Sequence, residues 1–315
     1  MKNLIKASLN LAPIVLFVYN RPECTLKTLE HLKRNVLADQ SELFIYSDGP
    51  KPDAKENDLK KIQEVREIIR KEKWCKEVRI IESPVNLGLA DSIINGVTEI
   101  VCSYNKVIVL EDDLLTSVHF LEYMNNGLNY YVNEEKVFQI VGYTAPLKVQ
   151  FRNTALFLPF TSTLGWGTWA RAWKYFEKNP PDYVELKINR KLRNEFNLNH
   201  TFPWAEFLIS QVDANVDSWG IYWWWSVFKQ KGLTLFPDKT LISHIGFDQD
   251  ATHTKNVIVD FNKYWDTKNE INIFPTKIVA DSHFFHKYRK NLRERAGWSV
   301  KIKIKNKIKK YFKSY

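Results

Sequence analysis

The feature that most constrains the fold is a regular alternation of short apolar runs and amphipathic segments over the first 113 residues. Apolar runs of four to six residues, bounded by turn residues, are typical of buried strands. Four such runs predict strands over 14–19, 43–46, 78–81 and 107–110. Apolar residues at helical spacing predict helices over 25–37, 58–73 and 90–104. This order predicts an α/β fold, with a mostly parallel sheet covered by helices on both faces.

The alternation weakens after residue 114, although the segments remain apolar. Helices are predicted over 120–131, 170–177, 204–212 and 217–231, and strands over 138–141 and 156–161. No linker-like segment interrupts the chain. We therefore expect one domain over 12–286, divided by role into 12–113 and 114–286, with an N-terminal extension (1–11) and a basic tail (287–315).

The distribution of charge argues against a nucleic-acid partner. The chain carries a net charge of +10, but twelve of its Lys and Arg residues and only one acid fall within 287–313. The remainder has 34 basic and 35 acidic residues, whereas a nucleic-acid-binding domain carries its positive charge on the folded face. Lysines alternate with apolar residues over 300–313, which favours an anionic membrane surface as the tail's partner. A solvated terminus is the alternative.

Three cysteines at positions 24, 75 and 102 predict neither a disulfide framework nor a cysteine-based metal site. A reducing, cytoplasmic compartment is therefore expected. Met1 to Leu11 lacks the apolar run of a signal peptide. The sequence contains no run of about 20 apolar residues, so no membrane-spanning helix is predicted.

Three consecutive acids, Glu111, Asp112 and Asp113, directly follow the fourth predicted strand. Adjacent carboxylates repel one another, and a hard divalent cation such as Mn²⁺ or Mg²⁺ would relieve that repulsion. A solvated acidic turn is the alternative. Polar groups also follow the first two strands, at 20–22 and 47–49. Because ligands gather at the carboxyl ends of parallel strands, we expect these groups to share one crevice.

The segment 107–115, with the sequence VIVLEDDLL, resembles the metal-binding Asp-x-Asp element of GT-A glycosyltransferases. It is most similar to the Glu-Asp-Asp form of N-acetylglucosaminyltransferase I and of bacterial sugar transferases that act on surface polysaccharides. Further segments resemble that family in order and spacing; they are 20–22, 48, 86–90, 142–143, 164–167, 217–219, 245–248 and 252–253.

The resemblance, which covers roughly 12–255, implies a GT-A (Rossmann-like) fold and an inverting, metal-dependent glycosyltransferase. The donor would be a nucleoside-diphosphate sugar, with UDP favoured, bound by the half 12–113. The acceptor would be a glycan or a lipid-linked sugar in bacterial lipopolysaccharide or capsule synthesis. The enzyme would work at the inner face of the bacterial membrane.

The same resemblance assigns roles around the metal. It implies that Asp113 is a direct ligand, that Asp112 faces the ribose or a metal-bound water, and that Glu111 lies near the transferred sugar. His253 in the closing loop would be a further ligand, with His244 or water as alternatives.

On the acceptor side, the resemblance implies that Asp217 is the general base. Asp213 and Glu111 are rivals, and a helix N-cap is the alternative role for Asp217. Trp166 and Trp219 would stack on the acceptor sugar, although packing in the core explains such residues equally well.

Besides Asp112, four residues are expected to bind the nucleotide sugar. Arg21 would contact phosphate or base through its fork of donors, with a surface salt bridge as the alternative. Asp48 would bind the nucleobase or merely shape its turn. Asn86 and Gly88 would bring the backbone close to the nucleotide or form an ordinary loop.

Two other functions remain open on the sequence. A sugar-phosphate nucleotidyltransferase also combines such a sheet with acidic metal ligands, but it usually has a Gly-rich basic loop after the first strand. Here that position reads Asn-Arg-Pro-Glu, residues 20–23. A non-catalytic carbohydrate-binding protein would account for the 11 tryptophans.

Overall fold

The computed structural model describes residues 10–214, 218–246 and 262–294. Its first half contains every predicted strand and helix, with ends that differ by at most a few residues. These are β1 (Ile14–Val18), α1 (Pro22–Lys33), β2 (Glu42–Ser47), α2 (Glu56–Arg70), β3 (Glu77–Glu82), α3 (Leu89–Tyr104) and β4 (Lys106–Glu111).

The second half contains short helices and strands in a less regular order. They are β5 (Leu114–Thr116), α4 (Phe120–Tyr130), β6 (Val137–Val141), β7 (Ala155–Leu158), β8 (Trp166–Trp169), α5 (Ala170–Trp173), α6 (Glu185–Ile188), α7 (Arg190–Phe196), α8 (Trp204–Ala214), α9 (Gly220–Lys229), β9 (Leu233–Pro237) and β10 (Ile242–His244). A helix also covers 282–294.

Eight strands form one mixed sheet in the order β3-β2-β1-β4-β8-β6-β9-β7. Six of them run parallel, while β8 and β7 run antiparallel to their neighbours. β10 and β5 form a separate antiparallel pair. This large, mostly parallel sheet flanked by helices confirms the predicted α/β class and is consistent with the GT-A (Rossmann-like) fold.

The central strands are buried on both faces, which explains their unbroken apolar sequences. All five residues of β1 are buried, as are the first five of β4. The strand register pairs Val18 with Ser47 and Phe17 with Glu111. The carboxyl ends of β1, β2 and β4 therefore meet at one edge of the sheet.

Tryptophan packing dominates the core of the second half. Of the ten tryptophans in the described ranges, eight are buried, seven of them in this half. Trp223 on α9 lies 5.2 Å from Trp173 and 6.2 Å from Trp166 between ring centroids. Core packing therefore accounts for most of the unusual aromatic content. None of the helices in the described ranges is long and apolar enough to span a membrane.

Candidate functional site

The acidic triplet lies where β4 ends and β5 begins, at the polar edge of the sheet. β5 pairs with β10, and this register sets His244 opposite Leu114. His244 Nε2 consequently lies 3.3 Å from Asp113 Oδ2. The backbone N–H of Ile245 donates to the Asp113 carbonyl oxygen at 2.9 Å, so the end of β10 is fixed against the acidic triplet.

Arg21 provides the positive charge nearest to these acids. It lies in the turn between β1 and α1, where its Nη1 is 2.9 Å from Asp113 Oδ2. Its Nη2 forms an ion pair with Asp112. Thr28 on α1 donates to the Asp112 carbonyl oxygen at 3.0 Å. One guanidinium thus bridges two carboxylates whose side chains are only 6% and 10% exposed.

Gly246 packs directly against the Asp113 carboxylate. A Cβ at position 246 would lie 2.2 Å from Asp113 Oδ2 and 3.0 Å from Arg21 Nη1. Since real Cβ atoms do not come this close to other atoms, only glycine fits this position without displacing the acid.

The three acids have very different proton affinities. Burial first, then the charges of Asp113 and Asp112, raise the pKa of Glu111 from 4.5 to about 8. Burial likewise raises the pKa of Asp112 to about 6, although Arg21 opposes that shift. Burial acts most strongly on Asp113 as well, but the hydrogen bonds and charges of His244 and Arg21 outweigh it and lower its pKa. Asp113 is therefore the acid most firmly held as a carboxylate.

The arrangement fits a divalent cation in part. Asp113 Oδ2 and His244 Nε2 are 3.3 Å apart, close to the spacing of roughly 3 Å between neighbouring ligands at about 2.1 Å from one ion. Within the described ranges, no three His, Cys, Asp or Glu side chains are grouped to hold a metal. Arg21 occupies the same carboxylates, so a cation would have to compete with it.

Of the two histidines considered from the sequence, the structure places His244 at Asp113. His253, the preferred one, lies outside the described residues. Asn262 fixes the backbone of His244 from both sides, accepting from its N–H at 3.0 Å and donating to its carbonyl oxygen at 3.1 Å. Sequence reasoning missed the role of Asn262 and the packing of Gly246, because a single Asn or Gly in a loop has no sequence motif that marks such a contact.

Three of the predicted nucleotide-binding residues come together at the end of β2. The Asp48 carboxylate accepts from Asn86 Nδ2 at 2.9 Å, from the Leu87 N–H at 2.8 Å and from the Gly88 N–H at 3.1 Å. Gly88 has φ of 80°, a left-handed conformation that favours glycine. Asp48 thus fixes the loop that precedes α3, and its carboxylate also accepts from the Gly49 N–H of its own turn at 2.9 Å.

A cavity of about 240 Å³ opens beside this loop. Its lining combines one aromatic ring, two aliphatic side chains and several small polar groups. The lining residues are Tyr46, Ser47, Asp48, Ile81, Ser83, Leu87, Ser92 and Asn95. Small-molecule sites have this mixture of apolar surface and a few polar groups.

The two tryptophans predicted on the acceptor side are buried within the described part of the chain. Trp166 and Trp219 are 1% and 4% exposed and stack on each other at 5.1 Å between centroids. An acceptor sugar could reach either ring only if neighbouring side chains moved. Asp217 lies outside the described residues. Asp213 is exposed and bonds to the Tyr183 hydroxyl at 2.6 Å and to Lys187 at 2.9 Å; these contacts lower its pKa and make it a weak base.

No protein-family model matches the chain, and no curated protein matches it in sequence. Solved structures do resemble it. S. aureus TarS 1–349 matches at 10% identity and a TM-score of 0.42, covering 75% of this chain and 61% of its own. The mannosyltransferase PcManGT from Pyrobaculum calidifontis, in complex with GDP-Man and Mn²⁺, matches at 10% identity and a TM-score of 0.37, covering 72% and 73%.

GalNAc-T7 with UDP, GalNAc and Mn²⁺ matches at 11% identity and a TM-score of 0.45, covering 73% of this chain and 43% of its own. The chain thus spans less than two thirds of the length of TarS 1–349 and of GalNAc-T7. At these identities and TM-scores the similarity does not assign an activity, so any function must be argued from the chain's own site.

Proposed function

We propose that the chain is a metal-dependent glycosyltransferase that moves a sugar from a nucleoside-diphosphate donor to a glycan or lipid-linked acceptor. One observation carries the proposal. At the carboxyl edge of the sheet, the carboxylate of Asp113, whose pKa is lowered, is shared between the imidazole of His244 and the guanidinium of Arg21. Groups with these chemistries can bind a divalent cation and the phosphates that accompany it.

In this proposal Asp113 and His244 hold Mn²⁺ or Mg²⁺. When bound, the ion neutralises charge on the departing diphosphate. Arg21 leaves Asp113 and turns its planar fork of donors to a phosphate oxygen, for which that geometry is well suited. Asp112 keeps the ribose or water contact that the family resemblance implies, and Glu111 lies beside the transferred sugar.

The cavity beside Asp48 is the proposed nucleoside site. Tyr46 offers an aromatic surface, backed by Phe17 at 5.4 Å between ring centroids. Asn86 and Gly88 position the loop through Asp48 and bring backbone groups to the rim. A UDP sugar is the proposed donor on the family resemblance alone.

The acceptor side is proposed from the resemblance. Inversion needs one general base for the acceptor hydroxyl, and we assign it to Asp217. The pairing of Asp213 with Lys187 argues against that rival. The proposed setting is bacterial surface-polysaccharide synthesis, with the basic segment 287–315 attached to the anionic inner face of the membrane and no nucleic-acid partner.

Donor cleavage tests the proposal directly. A panel of UDP, GDP and dTDP sugars is incubated with the chain and Mn²⁺, and release of the nucleoside diphosphate is measured. At least one donor is expected to be cleaved, with loss of cleavage in EDTA and in Asp113→Asn. Absence of cleavage, combined with pyrophosphate release from a nucleoside triphosphate and a sugar 1-phosphate, would favour the nucleotidyltransferase instead.

A further inference from the structure

A second cavity, of about 360 Å³, lies outside the acidic triplet and the nucleoside cavity. We propose that it binds a sugar unit that carries an anionic group, phosphate or carboxylate, and that this unit is a distal part of the acceptor. The inference rests on the proposed function for its acceptor, but the binding it describes needs neither donor nor metal. The lining residues are Phe151, Lys239, Tyr264, Trp265, Asp266, Lys268 and Asn269.

The apolar wall of this distal cavity is aromatic. Phe151 and Tyr264 meet edge to face at 5.3 Å between centroids, and Trp265 lies beside them. All three rings are only partly buried. Such rings combine an apolar face with, in Tyr and Trp, a polar edge. This combination suits a sugar, which presents apolar C–H faces and polar hydroxyl edges.

The charge of the cavity favours an anion. Neither Lys239 nor Lys268 forms a salt bridge within the described ranges, and both residues line the cavity. Lys263 adds a third positive charge, 5.5 Å from the centroid of the Tyr264 ring. Against these stand buried Asp238, which interacts electrostatically with Lys239, and Asp266, whose carboxylate accepts from the Lys268 N–H at 2.8 Å. Its remaining lone pairs can accept sugar hydroxyls.

The distal cavity is linked to the acidic triplet through hydrogen bonds and a short stretch of backbone. Buried Asn269 donates to the carbonyl oxygens of Thr240 and Tyr264, both at 2.9 Å. Thr240 lies two residues before β10, the strand that ends at His244. Lys239 and His244 are five residues apart, so their Cα atoms are at most about 18 Å apart. An oligosaccharide bound here at one end can therefore extend toward the acidic triplet.

Titration calorimetry with three trisaccharide probes tests the inference. The probes are maltotriose, maltotriose carrying a 6-phosphate, and trigalacturonate, each titrated in EDTA without donor. We expect an anionic probe to bind about tenfold more tightly than maltotriose. The phosphate and carboxylate arms identify which anion the site prefers. Equal binding of the neutral and anionic probes, or no binding of any, would overturn the inference.

Two variants locate the binding. The double variant Lys239→Gln/Lys268→Gln should weaken the preferred anionic probe about tenfold while leaving maltotriose unchanged, and Trp265→Ala should weaken all three probes. The matched control Lys60→Gln/Lys191→Gln removes the same charge from exposed positions on α2 and α7 and should bind like the unaltered chain. If both double variants behave alike, the attraction is general and the inference fails.

The circular-dichroism melting curve of each variant confirms that it is folded; should Trp265→Ala melt early, Trp265→Phe keeps the aromatic face and replaces it. Because the titration contains neither donor nor metal, its failure leaves the donor-cleavage result standing. Loss of donor cleavage, in turn, does not affect the titration. The two proposals therefore fail separately.

Discussion

Arg21 compensates the charge of the acidic triplet when no cation is bound. Its guanidinium contacts both Asp112 and Asp113, which are mostly removed from water. A buried carboxylate without a partner is strongly destabilising, because desolvation is no longer offset. Charge compensation by one flexible side chain also leaves room for exchange with a metal ion, and this makes Arg21 a sensitive probe of the site.

Replacing Arg21 by Gln should lower the free energy of unfolding in EDTA by on the order of 2 kcal/mol, because it leaves buried Asp112 without its ion-pair partner and Asp113 with His244 alone. Mn²⁺ should restore more stability to this variant than it adds to the unaltered chain. Urea denaturation with and without Mn²⁺ measures both effects. Arg70→Gln, which breaks an exposed pair with Glu82, is the control and should cost less than about 1 kcal/mol. Equal losses in the two variants would contradict the role of Arg21.

Glu111 should make stability depend on pH in the absence of metal. Its pKa is raised from 4.5 to about 8, so the folded chain holds this proton more tightly than the unfolded chain. Protonation therefore favours folding, and that contribution is lost as the pH rises from about 4.5 to about 8. Glu111→Gln should remove on the order of 2 kcal/mol of this pH dependence, measured by urea denaturation at pH 5 and pH 8 in EDTA. If the free energy of unfolding varied with pH in the same way in Glu111→Gln and in the exposed control Glu67→Gln, the raised pKa of Glu111 would be contradicted.

At the scale of residues, the sequence predicted which residues lie at the site better than it predicted which side chains contact one another. The acids and Arg21 could be expected at one edge because each directly follows a strand. That Arg21 would bridge Asp112 and Asp113 depends on side-chain conformations 91 residues apart, which no local pattern encodes. The position of His244 beside Asp113 depends on the pairing of β10 with β5, and a three-residue strand leaves almost no periodicity to detect.

At the scale of elements, the pairing of β5 with β10 brings two distant parts of the chain to the metal position. β5 follows the acids directly, and β10 ends at His244, so their antiparallel register fixes the distance between the two proposed ligands. Gly246 extends this contact beyond the strand. Ile245 and Gly246, the two described residues after β10, therefore contact Asp113 directly.

Gly246→Ala should weaken Mn²⁺ binding by about tenfold or more, because its Cβ would overlap the Asp113 carboxylate. Isothermal titration with Mn²⁺ and a nucleoside diphosphate measures the change. The control is Gly220→Ala at the start of α9, where the nearest atom to a new Cβ is the Thr163 methyl at 3.1 Å. If both variants bind Mn²⁺ normally, the close packing of Gly246 on Asp113 has no functional consequence.

Two strands that sequence reasoning missed, β8 and β9, lack the local sequence patterns from which strands are predicted. β8 reads Trp-Gly-Thr-Trp and is buried along its whole length, so it shows no alternation, and its glycine is unfavourable in strands. It is stabilised by antiparallel pairing with β4 and β6, far away in sequence. β9 follows α9 so closely that its apolar residues continue the preceding helical pattern. The first half was predictable because each strand there is followed by its own helix.

At the scale of the whole molecule, charge is divided between a near-neutral body and a basic C-terminal segment. The twelve cationic residues within 287–313 account for the chain's net positive charge. Basic residues near an anionic membrane contribute about 1 kcal/mol each at low salt. This division suits an enzyme whose acceptor is carried on a lipid.

Vesicle sedimentation tests the proposed membrane contact. The full chain should sediment with vesicles containing phosphatidylglycerol, but not with pure phosphatidylcholine, and binding should fall steeply as salt rises. A chain truncated after residue 294 should lose most of this binding while keeping its melting temperature. Equal sedimentation of the full and truncated chains would show that the basic segment is not the membrane contact.

The most direct test of the central claim is a Mn²⁺ titration followed by electron paramagnetic resonance, in which bound Mn²⁺ loses the sharp six-line signal of the free ion. With a nucleoside diphosphate present, the account predicts one bound Mn²⁺ per chain, at least tenfold weaker binding in His244→Ala, and none detectable in Asp113→Asn. Asp213→Asn, at an exposed acid away from the site, should bind like the unaltered chain. Normal Mn²⁺ binding by Asp113→Asn would contradict the account.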